Sequence, residues 1–337
     1  MKRIVLIRTD RVGDLVLSTP AIASFRRSWP EAHIDALVTD YTEPVLRHNP
    51  DVDAVHVLPK AATAAQGRAL AQKIGAAADL VVALAPRTAD YRLAAWTAAA
   101  RRIGYVYRRR YLSRVAAYLF LSDHCISDAD PELADRYPDR PVAHEVQQVL
   151  ALVSLAGGTA LTDRLVLRLG DEDRAFAREH APQSAVVLNL APRWFQPDFG
   201  FDATRELIGR LAAQRRDVLV TYGNDVPDAA ARLRDAVSAP NVTWLGESPL
   251  LGWAAALAQS AVVVTVDTGA THVASAVGVP VVAVFEREYY RLSSQEWSPW
   301  RVPHVMLCKP PAGAPAGPLI ADITAAALEL ARPSVRV

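Results

Sequence analysis

Cysteine, methionine and lysine are scarce in this chain of 337 residues, which holds two, two and four of them. Two cysteines, Cys125 and Cys308, cannot build a disulfide framework or a Cys-rich zinc site, and they suit a reducing compartment. Net charge is nearly absent: 37 basic against 36 acidic residues leave +1. That balance excludes bulk nucleic-acid binding as the main task. Long apolar runs are missing too. The stretches 254–266 and 273–285 are broken by Gln259 and Ser260 and by Gly278 and Pro280, so neither reaches the roughly 18 residues of a membrane span. The apolar run from Ile4 to Ile7 closes at Arg8, too short for a signal peptide. A cytoplasmic location is expected.

What is present is an ordinary globular composition, 51% hydrophobic and 22% charged, long enough for two domains. Apolar β-rich runs at 3–7, 33–38, 53–58 and 79–84 alternate with helical patterns at 15–27, 41–48 and 64–77, the rhythm of right-handed βαβ units in a parallel sheet. Residues 123–143 are polar and proline-rich and read as a loop. A helix over 144–156 ends at Gly157-Gly158. The rhythm then restarts: strands at 185–190, 217–222, 242–245, 261–266 and 279–285, helices at 203–215, 228–237 and 250–259. After a linker at 310–318 comes a last helix at 319–331. The expected fold is α/β, with a first Rossmann-like domain over 1–158 and a second over 159–337, the last helix packing back toward the first.

Ligands in such sheets bind at the carboxyl ends of the strands. After the strand at 261–266 comes Asp267-Thr268-Gly269-Ala270-Thr271-His272 and then a helix. Free N–H groups at a helix start bind phosphate, and glycine permits close approach. Asp-Thr-Gly is also the look of an aspartic protease, but that chemistry needs two such loops or a homodimer on an all-β fold, and here one such loop runs into a helical segment of an α/β chain. The loop from Arg8 to Asp14 lacks the glycine pattern for dinucleotides. It offers Asp10 and Asp14, either of which can act as a general base; Asp14 could equally cap the first helix. Six arginines, Arg101, Arg102, Arg108, Arg109, Arg110 and Arg114, interleave with Tyr105, Tyr107 and Tyr111. They suggest an anionic acceptor or an anionic membrane surface, or else a solvated basic face. The Asp-x-Asp sequence to watch as a metal site, Asp128-Ala129-Asp130, falls in the irregular stretch.

The N-terminal stretch from Ile4 to Ala21, with Arg8, Gly13, Asp14 and Pro20, resembles the opening of glycosyltransferase family 9, the heptosyltransferases. The run from Val266 to Pro280 resembles the same family, as do Trp297-Ser298-Pro299, Arg102-Ile103-Gly104 and His144-Glu145. The resemblance implies a GT-B fold, two Rossmann-like domains across a cleft. It implies inverting, metal-free transfer of a heptose or related sugar from an ADP-sugar or other nucleotide-sugar to a lipopolysaccharide-type acceptor. No cofactor is expected, and the partners are that donor and a glycan or glycolipid at the inner face of a membrane. Asp14 would be the base. Asp267, Thr268, Gly269, Thr271 and His272 would hold the donor, and Asp10, Gly13, Arg101 and Arg102 the acceptor. Where the family carries Pro-Gly and a later Lys, this chain has Ala191-Pro192-Arg193-Trp194, so Arg193 would replace the Lys as phosphate partner. Asp225 would take the ribose in place of a Glu. These departures keep two alternatives open, a weakly active nucleotide-sugar-binding paralogue and a sugar-nucleotide epimerase.

Overall fold

The computed structural model describes residues 1–332 and divides between Arg168 and Leu169 into two compact units. In the first, β1 (Arg3–Ile7), β2 (His33–Thr39), β3 (Ala54–Leu58), β4 (Leu80–Ala83), β5 (Arg102–Tyr107) and β6 (Asp123–Ser127) form one sheet. Every pairing is parallel, in the order β3-β2-β1-β4-β5-β6. Its helices are α1 (Val12–Ser28), α2 (Ala64–Gly75), α3 (Thr88–Trp96), α4 (Tyr111–Phe120), α5 (Pro131–Arg136) and α6 (Glu145–Leu155).

The second unit opens with α7 (Asp171–His180) and repeats the plan. Its strands are β7 (Val186–Asn189), β8 (Val218–Thr221), β9 (Val242–Leu245), β10 (Val262–Val266), β11 (Val281–Phe285) and β12 (His304–Cys308). They pair in the order β12-β11-β10-β7-β8-β9, again all parallel. The helices are α8 (Gly200–Ala212), α9 (Pro227–Ala236), α10 (Leu250–Ala258), α11 (Gly269–Ala276), α12 (Tyr290–Glu296) and α13 (Gly317–Leu330). Each sheet therefore changes winding direction between its first and fourth strands, β1 and β4 or β7 and β10. A crevice opens there at the carboxyl edge.

The inner strands are uniform apolar runs because both of their faces are covered. All of β4 and all of β10 are buried. The edge strands β6 and β12 are polar or half-buried, and the sequence pattern passed over them. The stretch expected to be a loop from residue 123 thus begins with a strand.

The expected division after residue 158 also shifts, for a reason visible in α1. The hydroxyls of Ser28, Ser24 and Thr19 accept hydrogen bonds from the N–H groups of Thr159, Leu161 and Val166, at 3.0, 3.2 and 2.8 Å. They fasten residues 159–166 along α1, so the connector belongs to the first unit. Thr19 has a second task. Pro20 inside α1 cannot donate to Val16, and the Thr19 hydroxyl donates to that carbonyl instead, at 2.7 Å. The last helix, α13, does not turn away from its own unit. Leu319, Ile320, Ile323 and Ala327 join Leu207 and Leu211 of α8 in the second core.

Candidate active site

In the first unit, β1 ends directly on Arg8, whose side chain is buried at the crevice. A buried guanidinium needs acceptors all round. Arg8 Nε donates to Asp10 Oδ1 at 2.9 Å, Nη1 to Ser18 Oγ at 3.1 Å and to the Leu84 carbonyl after β4 at 2.7 Å, and Nη2 to Glu145 Oε1 at 2.9 Å. Glu145 is buried and also accepts from the Tyr105 hydroxyl at 2.7 Å. Its position follows from the start of α6. There the His144 ring accepts from the Val146 N–H at 3.1 Å, and Gln147 Oε1 accepts from the His144 N–H at 3.0 Å.

Asp14 stands in the first turn of α1, which begins at Val12; the residue before it, Arg11, makes no side-chain cap bond. Asp14 is therefore not the helix cap. Its carboxylate lies 3.9 Å from Arg8 Nη2, and its side chain is 24% exposed. Burial pushes the Asp14 carboxyl up to about 7, helped by the negative charges of Asp10 and Glu145 and opposed by Arg8. Asp90 on α3 is fully buried and is bound to the hydroxyl of Thr9. Burial and the charge of Asp10 raise it to about 6. Arg8 thus sits among three carboxylates, Asp10, Asp14 and Glu145, and the most exposed of them, Asp14, is the one pushed up toward neutral pH.

In the second unit four strand ends contribute. The segment after β7 folds into a short 3-10 turn, Pro192–Phe195. Fully buried Trp194 anchors it, donating from Nε1 to the Asn189 carbonyl at 2.9 Å. That anchor presents Arg193 outward, its Nη1 2.7 Å from Asp267 Oδ2 and 2.6 Å from Glu286 Oε2. Asp267 follows β10 and Glu286 follows β11. Lys309 follows β12 and is fully buried. Its ammonium donates to Asp198 at 2.9 Å and to the Arg193 carbonyl, and lies 3.5 Å from Glu286.

The helix after Asp267 starts at Gly269, earlier than the sequence pattern suggests, with Thr268 as its cap residue and no side-chain cap bond. Thr268 instead shares a 3.1 Å hydrogen bond with Thr265. Asp267, Thr268 and Gly269 are partly exposed, whereas Thr271 and His272 are buried. The Thr271 N–H donates to the Thr268 carbonyl at 3.1 Å. Thr271 and His272 therefore face the protein and support the turn from within. Gly278, at φ +81°, supplies the left-handed residue that ends this segment and sends the chain into β11. Asp225 lies exposed in the loop after β8, at the same edge.

Two arginines expected at the acceptor site lie elsewhere. Arg101 donates to the carbonyls of Ala156 and Leu155 at the end of α6, both at 2.8 Å. Arg102 begins β5 and donates to the Phe120 carbonyl at 2.9 Å. Both occupy the amino edge of the sheet, the end away from Arg8 and Asp14. The Asp-x-Asp pair is likewise structural. Asp128 binds Arg140 at 3.1 Å and also Arg108, and Asp130 caps α5 through the Leu133 N–H at 3.2 Å. Among the described residues no group of three or more His, Cys, Asp or Glu could hold a metal ion.

Glu145, Asp90, Glu286 and Lys309 were not singled out from the sequence as site residues. Lys309 carried a usable signal, being one of four lysines among 37 basic residues.

Two all-parallel α/β units of identical strand order, each with charged groups gathered at its switch point, define the GT-B class of glycosyltransferase-like enzymes. The family model of glycosyltransferase family 9 (heptosyltransferase) matches residues 67–312, and the chain belongs to that family. It is 24% identical to the Escherichia coli lipopolysaccharide heptosyltransferase 3 over 313 residues, 86% of this chain and 83% of that protein. The crystal structure of a family 9 glycosyl transferase from Veillonella parvula superimposes with a TM-score of 0.78 at 19% identity, covering 98% of this chain and 97% of that one. The E. coli heptosyltransferase WaaC, solved with ADP, gives a TM-score of 0.69 at 19% identity, covering 98% and 99%.

Proposed function

We propose that this chain transfers a heptose or related sugar, with inversion, from an ADP-sugar to a hydroxyl of a lipopolysaccharide-type acceptor, without a metal. The observation that carries the reading is Asp14: a partly exposed carboxylate at the switch crevice, titrating near neutrality, beside a fixed cation. A sugar hydroxyl is a weak nucleophile. A base that is half ionised near the working pH removes its proton as the new bond forms. Arg8, held by Asp10, Glu145 and Ser18, fixes the field around Asp14 and keeps it in place.

Charge develops on the diphosphate as it leaves. The start of α11 offers main-chain N–H groups without a side-chain cap, and Arg193 stands 2.7 Å from Asp267 at the same edge. The N–H groups supply the positive potential that a leaving nucleoside diphosphate needs, and Arg193 adds to it when a phosphate oxygen replaces one of its two carboxylate partners. Lys309 is the buried cation behind Arg193. It donates to the Arg193 carbonyl and to Asp198 and lies 3.5 Å from Glu286, so it supports Arg193 and Glu286 from behind. Asp225 is the ribose partner in this reading. ADP as the nucleotide follows the heptosyltransferase that was solved with it.

The experiment is turnover with ADP-heptose and a lipopolysaccharide-type acceptor, followed by the anomeric configuration of the product. Retention of configuration overturns the single-displacement mechanism, and turnover that a chelator abolishes overturns the absence of a metal.

A further inference from the structure

Helix α4 packs on the first unit through Ala116 and Ala117, which are buried. Its other side is a row of large apolar residues. Tyr111, Leu112, Val115, Tyr118 and Leu119 are each between 58% and 88% exposed. Successive helical residues turn by about 100°, so these five lie within an arc of about 120°. An exposed apolar row of this size marks an interaction surface.

The charges around it indicate what it meets. Residues 101–120 hold six arginines and no acidic residue. Arg108 and Arg109 are balanced by Asp128, Asp130 and Glu132 from the neighbouring segment. Arg110 and Arg114 are exposed at the start of the helix and make no ion pair among the described residues. Arg110 instead lies over the Tyr107 ring, 4.4 Å from its centre. A second copy of α4 would bring no carboxylate to these arginines. A layer of anionic headgroups brings many, and it places an apolar zone directly behind them. Tyrosines near both ends of the row, Tyr111 and Tyr118, have the amphipathic rings that settle at such a boundary.

We propose that α4 docks the first unit on an anionic lipid surface. Its apolar arc enters the boundary between headgroups and acyl chains, and Arg110 and Arg114 meet lipid phosphates. The docking needs neither nucleotide nor acceptor glycan, so it stands or falls apart from the transfer reaction.

Flotation of the full chain with vesicles tests it. Vesicles of phosphatidylcholine with phosphatidylglycerol should carry the protein upward, and vesicles of phosphatidylcholine alone should carry much less. High salt should weaken the binding, since exposed charges are screened. L112S/L119S should lose at least about ten-fold in partitioning, from two exposed leucines that no longer enter the boundary. R110Q/R114Q should lose about ten-fold or more at low salt and little at high salt. Both pairs are solvent-exposed, so the thermal midpoints should match that of the unaltered chain. Absence of binding to the anionic vesicles overturns the proposal, as does undiminished binding by L112S/L119S. A concentration-dependent dimer in sedimentation equilibrium that L112S/L119S abolishes, with no vesicle binding, assigns the face to a second copy and also overturns it.

Discussion

Replacing Asp14 by Asn separates catalysis from stability in one variant. The side chain keeps its size and loses its ability to take a proton. Removing a general base typically costs about 10²–10⁴-fold in rate, and the loss should appear in kcat with little change in donor affinity. Stability should move the other way. The native state holds the Asp14 proton up to about pH 7 against an ordinary value of 3.8, so ionising it opposes folding. That penalty is absent below pH 4, grows as pH rises through the interval, and is complete above pH 7. At about 1.4 kcal/mol per pH unit the upper bound is about 4 kcal/mol. The side chain is 24% exposed, so screening by water leaves about 1–2 kcal/mol. Asp14→Asn should therefore melt higher than the unaltered chain at pH 8 and at the same temperature at pH 4. Turnover of the unaltered chain should rise with pH through about 7, while Asp10→Asn should lose less activity. Steady-state kinetics and thermal melts at both pH values check this. Turnover of Asp14→Asn within three-fold of the unaltered chain refutes the assignment of the base.

Three further outcomes are expected. Lys309→Met leaves Asp198 and Glu286 facing one another without their buried cation; it should cost about 3 kcal/mol in denaturant unfolding and weaken ADP binding measured by calorimetry. Gly269→Val should abolish diphosphate binding at the start of α11 while the circular dichroism and the melting midpoint stay native; unchanged affinity in the folded variant removes that loop from the donor site. Turnover should survive dialysis against a chelator and gain nothing from added Mg²⁺ or Mn²⁺, whereas loss with the chelator and recovery with either ion contradicts a metal-free reaction.

Most inner strands were legible because a parallel strand covered on both faces must be apolar throughout, as in β4 and β10; β5 was not, because Arg102, Gly104 and two tyrosines interrupt its apolar run. The edge strands β6 and β12 escaped because their five residues are polar or half-buried with no clear alternation. The loops holding Asp14 and Asp267 were legible from local pattern and from the family resemblance. The partners of those residues were not. Arg8 and Glu145 are 137 positions apart, and Arg193 and Glu286 are 93 apart, so only the sheet order brings them together. The arginine cluster misled for the opposite reason. Residues adjacent in sequence were treated as one patch, yet β5 separates Arg102 from Arg108 by about 20 Å of extended chain. One end of the cluster ties helix termini, and the other rims the exposed face of α4.

The most direct test of the account is ADP release from ADP-heptose by the full chain, followed with and without a pool of lipopolysaccharide-type acceptors, together with the mass of the acceptor. The account predicts ADP release that depends on the acceptor, matched by an acceptor mass gain of one heptose and lost in Asp14→Asn. Release of ADP with no mass gain in any acceptor, or binding of ADP-heptose with no turnover at all, would contradict it.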